Sequence, residues 1–153
     1  MSLDDLYKEV ILDHFQHPRN RGVLDDPDVA TRGHNPLCGD EVLLAVKMDG
    51  DVIQDIAFGG RGCSISQASA SMMTESVKGH DTSDASALAD GFKELMSGGG
   101  STDRLAGNED LESLQGVKKF PVRVKCALLP WTALLEIIQT WESAPGHPSS
   151  IVG

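Results

Sequence analysis

The chain has 153 residues, 40% hydrophobic and 24% charged, with a formal net charge of −10. That length suits one domain with a real core, and the acidic balance argues against a nucleic-acid partner, which calls for clustered cations. No apolar run reaches the length of a membrane span, and no basic region followed by an apolar stretch opens the chain, so a cytoplasmic protein is expected.

Ser2 and Asp5 are spaced as a helix N-cap and a first-turn acid. Leu3, Leu6, Tyr7, Val10, Ile11 and Phe15 follow at helical spacing, and His17-Pro18 ends that helix. The polar segment from Arg19 to Gly33 reads as loop, with a short strand around Val29–Arg32. Val42, Leu44 and Val46 then alternate on one face, Asp49-Gly50 marks a turn, and Val52, Ile53, Ile56, Ala57 and Phe58 return as the second arm of a hairpin. The glycines at 59, 60 and 62 are expected to break that strand.

Cys63 opens a helix to about Lys78, rich in Ala and Ser and suited to close packing. Asp81–Ser83 can cap a further helix whose stripe is Leu88, Phe92 and Leu95. Gly98–Gly100 is a flexible break, and the acidic stretch from Asn108 to Leu114 suggests a short helix. Phe120-Pro121 begins the last helix, with Leu128, Trp131, Leu134, Leu135, Ile138 and Trp141 at helical spacing. Pro130 inside it has no N–H for the carbonyl of Cys126, so a kink or a distorted first turn is expected. Residues 1–142 read as a single domain and 143–153 as a disordered tail.

The chemistry rests on three cysteines. Cys38 lies in Asn35-Pro36-Leu37-Cys38-Gly39-Asp40, a loop entering a strand. Cys63 stands at a Gly-rich strand-to-helix junction, and Cys126 near a helix start with Arg123 and Lys125 beside it. In a reducing compartment such thiols are core filler, metal ligands or reactive groups. Spacing alone decides little, because no C-x-x-C pair is present. Core cysteines sit in apolar periodic runs, however, and none of these does. Helix N-termini and nearby cations favour the thiolate, the form that binds metal or attacks sulfur. Three thiolates with Asp40 would suit tetrahedral zinc, Asp40 being the weakest donor, and the thiolates could also hold iron in a cluster. His14, His17, His80 and His147 are expected at solvated positions. His34 could reach the site, although a structural or solvent role suits it better.

The stretches Asn35–Asp40, Gly60–Ser71 and Phe120–Ala127 resemble the U-type iron–sulfur cluster assembly proteins, the IscU/SufU/NifU N-terminal family, in order and over nearly the whole chain. The resemblance implies an α+β fold of the SufE/NifU-like kind: a three-stranded antiparallel sheet packed with about five helices. It implies Cys38, Asp40, Cys63 and Cys126 as metal ligands, with Arg123 at a basic position near the site. Lys125 stands where housekeeping IscU scaffolds have histidine, and the segment between the second and third cysteines is long, as in the SUF-type SufU branch. The implied function is zinc-dependent sulfur transfer. Cys38 or Cys126 would accept persulfide sulfur from a pyridoxal-phosphate cysteine desulfurase of the SufS type and pass it to the SUF cluster-building complex. The alternative is a scaffold that assembles and transfers a [2Fe–2S] cluster, or holds iron, on the same cysteines. Neither reading involves nucleic acid or a membrane. Pro130 is unexpected in the family's helix.

Overall fold

In a computed structural model, residues 3–35, 39–97, 111 and 114–144 are described. The elements run α1 (Leu3–Gln16), β1 (Val29–Asn35), β2 (Asp40–Asp49), β3 (Val52–Arg61), α2 (Ser64–Val77), α3 (Thr82–Met96), a 3-10 helix (Leu114–Lys119) and α4 (Pro121–Glu142). The strands form one antiparallel sheet in the order β1-β2-β3. Ser2, Cys38, Gly98–Gly100, most of the acidic stretch and residues 145–153 lie outside the described residues; within that stretch Leu111 is helical and Leu114 opens the 3-10 helix.

Period-two alternation sets the sheet. Val42, Leu44 and Val46 of β2 are buried and join Ile56 and Phe58 of β3 in the core, while Leu43 faces outward. The hairpin turns through Gly50 at φ +60°, a left-handed conformation natural to glycine. Helices α2 and α4 pack together in the core, α1 lies on α2, and α4 also covers β1 and β2. At Gly33 the approach of α4 is close: a Cβ there would stand 3.2 Å from Leu129 Cδ1. Phe92 of α3 stacks on Trp131 of α4, ring centroids 4.9 Å apart, and Trp141 Nε1 donates to Asp51 Oδ1 at the hairpin turn (3.2 Å).

Three expectations need amending. β1 is longer than foreseen and reaches Asn35, opposite Asp40. β3 does not break at its glycines but continues to Arg61, with Gly60 paired to Val42. The reason is steric: Gly60 sits at φ +104°, and a Cβ there would stand 2.2 Å from the Glu41 carbonyl oxygen, so the glycine permits the ladder rather than ending it. Helix α4 runs on through Pro130, which is buried, and in its first turn the amides of Arg123 and Val124 both donate to the Phe120 carbonyl.

His14 is the third. Rather than being solvated it is fully buried, its Nδ1 2.8 Å from Ser71 Oγ. The Arg19 amide donates to the same hydroxyl oxygen at 2.9 Å, so the Ser71 proton is available to His14 Nδ1. This joins α1 to α2. Replacing His14 by alanine is expected to cost about 2–3 kcal/mol, since a cavity opens and Ser71 loses a buried partner. Urea denaturation reads the loss. His17 and His80 are exposed as expected, and so is His34.

Candidate metal centre

The centre is built at one end of the sheet. Asn35 and Asp40 are register partners at the end of β1 and the start of β2, and Glu41 pairs with Arg61 at the end of β3. Asp40 is therefore delivered beside the chain leaving β3, where Gly62 and Cys63 lead into α2. The Asp40 carboxylate is buried, and a buried carboxylate needs donors. The Cys63 amide supplies one, donating to Oδ1 at 2.9 Å. Gly62 leaves room for this: a Cβ there would stand 2.7 Å from Asp40 Oδ1 and 2.5 Å from Ser66 Oγ.

Cys63 is the N-cap of α2, and its sulfur accepts from the Ser66 amide at 3.5 Å. The thiol thus takes the place of the usual serine or aspartate, and the helix's unpaired amides face the sulfur. The Ser66 hydroxyl donates to the Cys63 carbonyl at 3.1 Å and lies 3.9 Å from the sulfur. Cys126 comes from the second turn of α4 and is fully buried, its sulfur 3.9 Å from the Val122 carbonyl.

One ligand-type atom from each of Asp40, Cys63 and Cys126 lies within 4.8 Å of the others. Cys63 Sγ and Asp40 Oδ2 are 3.6 Å apart. In a tetrahedral zinc site with typical bond lengths, a thiolate and a carboxylate oxygen are separated by about 3.6 Å. Two soft sulfurs and one oxygen gathered within 4.8 Å, one sulfur–oxygen pair at that separation, suit such an ion. Arg123 lies beside the cluster: the charge of Cys63, and next a hydrogen bond to Cys126, hold its guanidinium above the usual arginine range. Lys125 is exposed. Of the residues expected here, Asp40, Cys63 and Cys126 are brought together with Arg123 alongside, and Cys38 lies outside the described residues. The sequence reading missed Ser66, for which the signal was the Cys63-to-Ser66 interval of a helix cap.

A three-stranded antiparallel sheet with helices packed on it, and a thiol–carboxylate cluster where a strand end meets two helices, defines a small class of thiol-bearing α+β domains. The chain belongs to the family described as the NifU-like N terminal domain, whose model matches residues 6–127. It is 50% identical over 133 residues to the zinc-dependent sulfurtransferase SufU of Bacillus subtilis, covering 87% of this chain and 89% of that protein. To the iron–sulfur cluster assembly scaffold protein IscU of Streptococcus pyogenes it is 47% identical over 139 residues, covering 90% and 85%. A crystal structure of an iron–sulfur cluster assembly scaffold protein for the SUF system from Fervidobacterium islandicum AW-1 superposes with a TM-score of 0.80 at 34% identity, covering 85% and 94%. Iron–sulfur cluster assembly is thus the family's setting. Among the described residues no helix is long and apolar enough to cross a membrane.

Proposed function

We propose that the chain is a zinc-dependent sulfur carrier that takes persulfide sulfur from a cysteine desulfurase and passes it to the SUF cluster-building machinery in the cytoplasm. The observation that carries this reading is the cluster of Asp40, Cys63 and Cys126, whose ligand atoms lie within 4.8 Å of one another, the Cys63 sulfur and an Asp40 oxygen 3.6 Å apart. Cys38 completes the set: it is two residues from Asp40 in the chain, a reach of at most about 7 Å. Residues 1–142 act as one domain in this reading.

The transfer needs no outside oxidant. A Cys38 thiolate attacks the outer sulfur of the persulfide on the desulfurase. The new S–S bond forms on Cys38, the donor S–S bond breaks, and the donor cysteine leaves as a thiolate. Bound zinc would keep the thiols ionised at neutral pH and screen their mutual repulsion. Arg123 supports the negative charge on the thiols from the solvent side. Asp40, the only oxygen donor, is the weakest of the four and the readiest to be exchanged when a partner docks.

The test is desulfurase turnover with the zinc-loaded chain present. Alanine production from cysteine is expected to rise at least about tenfold, as when an acceptor relieves a blocked nucleophile. No stimulation at saturating protein contradicts the reading. Asp40→Ala is expected to keep the chain folded and weaken zinc binding about 10–100-fold, as loss of one ligand or its support does, measured by chelator competition.

The likeness to IscU favours a second reading, in which the same cysteines assemble and hand on a [2Fe–2S] cluster. Lys125, in place of the histidine of housekeeping scaffolds, weighs against it. Anaerobic reconstitution followed by cluster transfer to an apo-protein decides between the two.

A further inference from the structure

The two thiols of the cluster ride on different helices, and one hydroxyl ties those helices together. Ser69 lies six residues beyond Cys63, within α2. Its Oγ donates to the carbonyl of Ala127 at 2.6 Å and accepts from Trp131 Nε1 at 3.1 Å. Ser69, Ala127 and Trp131 are all fully buried. Ala127 is the residue next to Cys126. The path from one sulfur to the other therefore runs through a rigid stretch of α2, one short hydrogen bond and a single peptide unit.

Pro130 explains why such a tie matters at this position. The carbonyl of Cys126 would ordinarily receive the amide of residue 130, and proline has none. The backbone of α4 is thus least secured by its own ladder where it carries the thiol. Ser69 fastens the adjoining carbonyl to α2 instead, and its oxygen also accepts from Trp131, which stacks on Phe92.

We infer that Ser69 is a positioning residue that sets the separation of the Cys63 and Cys126 sulfurs, and thereby the metal affinity of the centre. This rests on the reading of the cluster as a metal site. Ser69 bonds to Ala127 and Trp131 rather than to the described ligands, and acts through the Ala127 carbonyl.

Zinc affinity of the full chain, measured by chelator competition beside the melting temperature of the metal-free form, tests the inference. Ser69→Ala is expected to weaken zinc binding about tenfold, in the range seen for groups that orient ligands. Trp131→Phe removes the second bond to the serine but keeps the one to Ala127; it should lower the melting temperature and leave zinc affinity within about twofold. Ser69→Thr, which retains the hydroxyl, should recover most of the affinity. If Ser69→Ala does not fold, the same substitution is measured in a Pro130→Ala background, where the helix regains its amide donor and a smaller loss, about threefold, is expected. Affinity unchanged by Ser69→Ala overturns the inference, and so does a loss that Trp131→Phe matches. Failure of the unaltered chain to bind zinc would instead count against the metal-site reading itself.

Discussion

Replacing Cys38 by serine is expected to abolish persulfide acceptance, with a drop of at least about 100-fold, the scale of losing a covalent nucleophile. The readout is radiolabelled sulfur delivered from cysteine by the desulfurase and retained on the chain until reduction. Cys38→Ser also removes a proposed zinc ligand, so loss of metal could mimic loss of the acceptor. Asp40→Ala separates the two effects, because it removes a ligand and leaves all three thiols in place. Acceptance that survives in part in Asp40→Ala and disappears in Cys38→Ser identifies Cys38 as the acceptor. Equal losses would assign the effect to the metal, and full labelling of Cys38→Ser would move the acceptor role to Cys126.

The second large effect is expected at Gly60. Its φ of +104° disfavours any side chain, and a Cβ there would also stand 2.2 Å from the Glu41 carbonyl oxygen and 2.9 Å from its carbon. Both atoms belong to backbone in the β2–β3 ladder and cannot swing aside. Gly60→Ala must therefore push β3 away from β2, just where those strands hold Asp40 beside Cys63. A loss of at least about 3 kcal/mol is expected, combining backbone strain with a broken ladder contact. Gly50→Ala is the control. Gly50 also has positive φ, +60°, but nothing lies within 4 Å of its Cβ position, so its cost should be near 1 kcal/mol, that of the left-handed conformation alone. Urea denaturation of the metal-free forms compares them. Equal costs would mean that the close approach at Gly60 contributes nothing.

The sheet was legible because its signal is local. Val42, Leu44 and Val46 alternate and face the core, and Asp49-Gly50 lies at the turn joining β2 to β3. Asp81 caps α3 as expected, accepting from the Asp84 amide at 2.8 Å. The glycines at 59 and 60 misled because their usual role as strand breakers is a statement about backbone freedom. What decides at Gly60 is a neighbouring strand, distant in sequence. His14 misled for a similar reason: a lone histidine on a helix gives no sign of the Ser71 hydroxyl that buries it.

The gathering of the cysteines was not legible from spacing. Cys63 and Cys126 are far apart in sequence, and no short motif links them. Their settings, outside apolar periodic runs and beside helix starts or cations, suggested a shared site, and the likeness of three separate stretches to one family strengthened that reading. The Ala- and Ser-rich run after Cys63 shows why parts of the centre escaped notice. As a pattern it signals close packing and nothing more. In the fold, Ser66 contacts the Cys63 sulfur, Ser69 ties α2 to α4, and Ser71 secures α1. Small hydroxyl residues acquire such roles only when a second helix arrives, which no local window of sequence contains.

In the proposed reading, this centre holds zinc in order to carry sulfur. The most direct test is the metal content of the anaerobically purified chain, with the visible spectrum recorded after iron and sulfide are offered. One tightly held zinc per chain, and no stable cluster absorbance after reconstitution, is the predicted result. Zinc well below one per chain, together with a stable [2Fe–2S] spectrum that passes to an apo-protein, would contradict it.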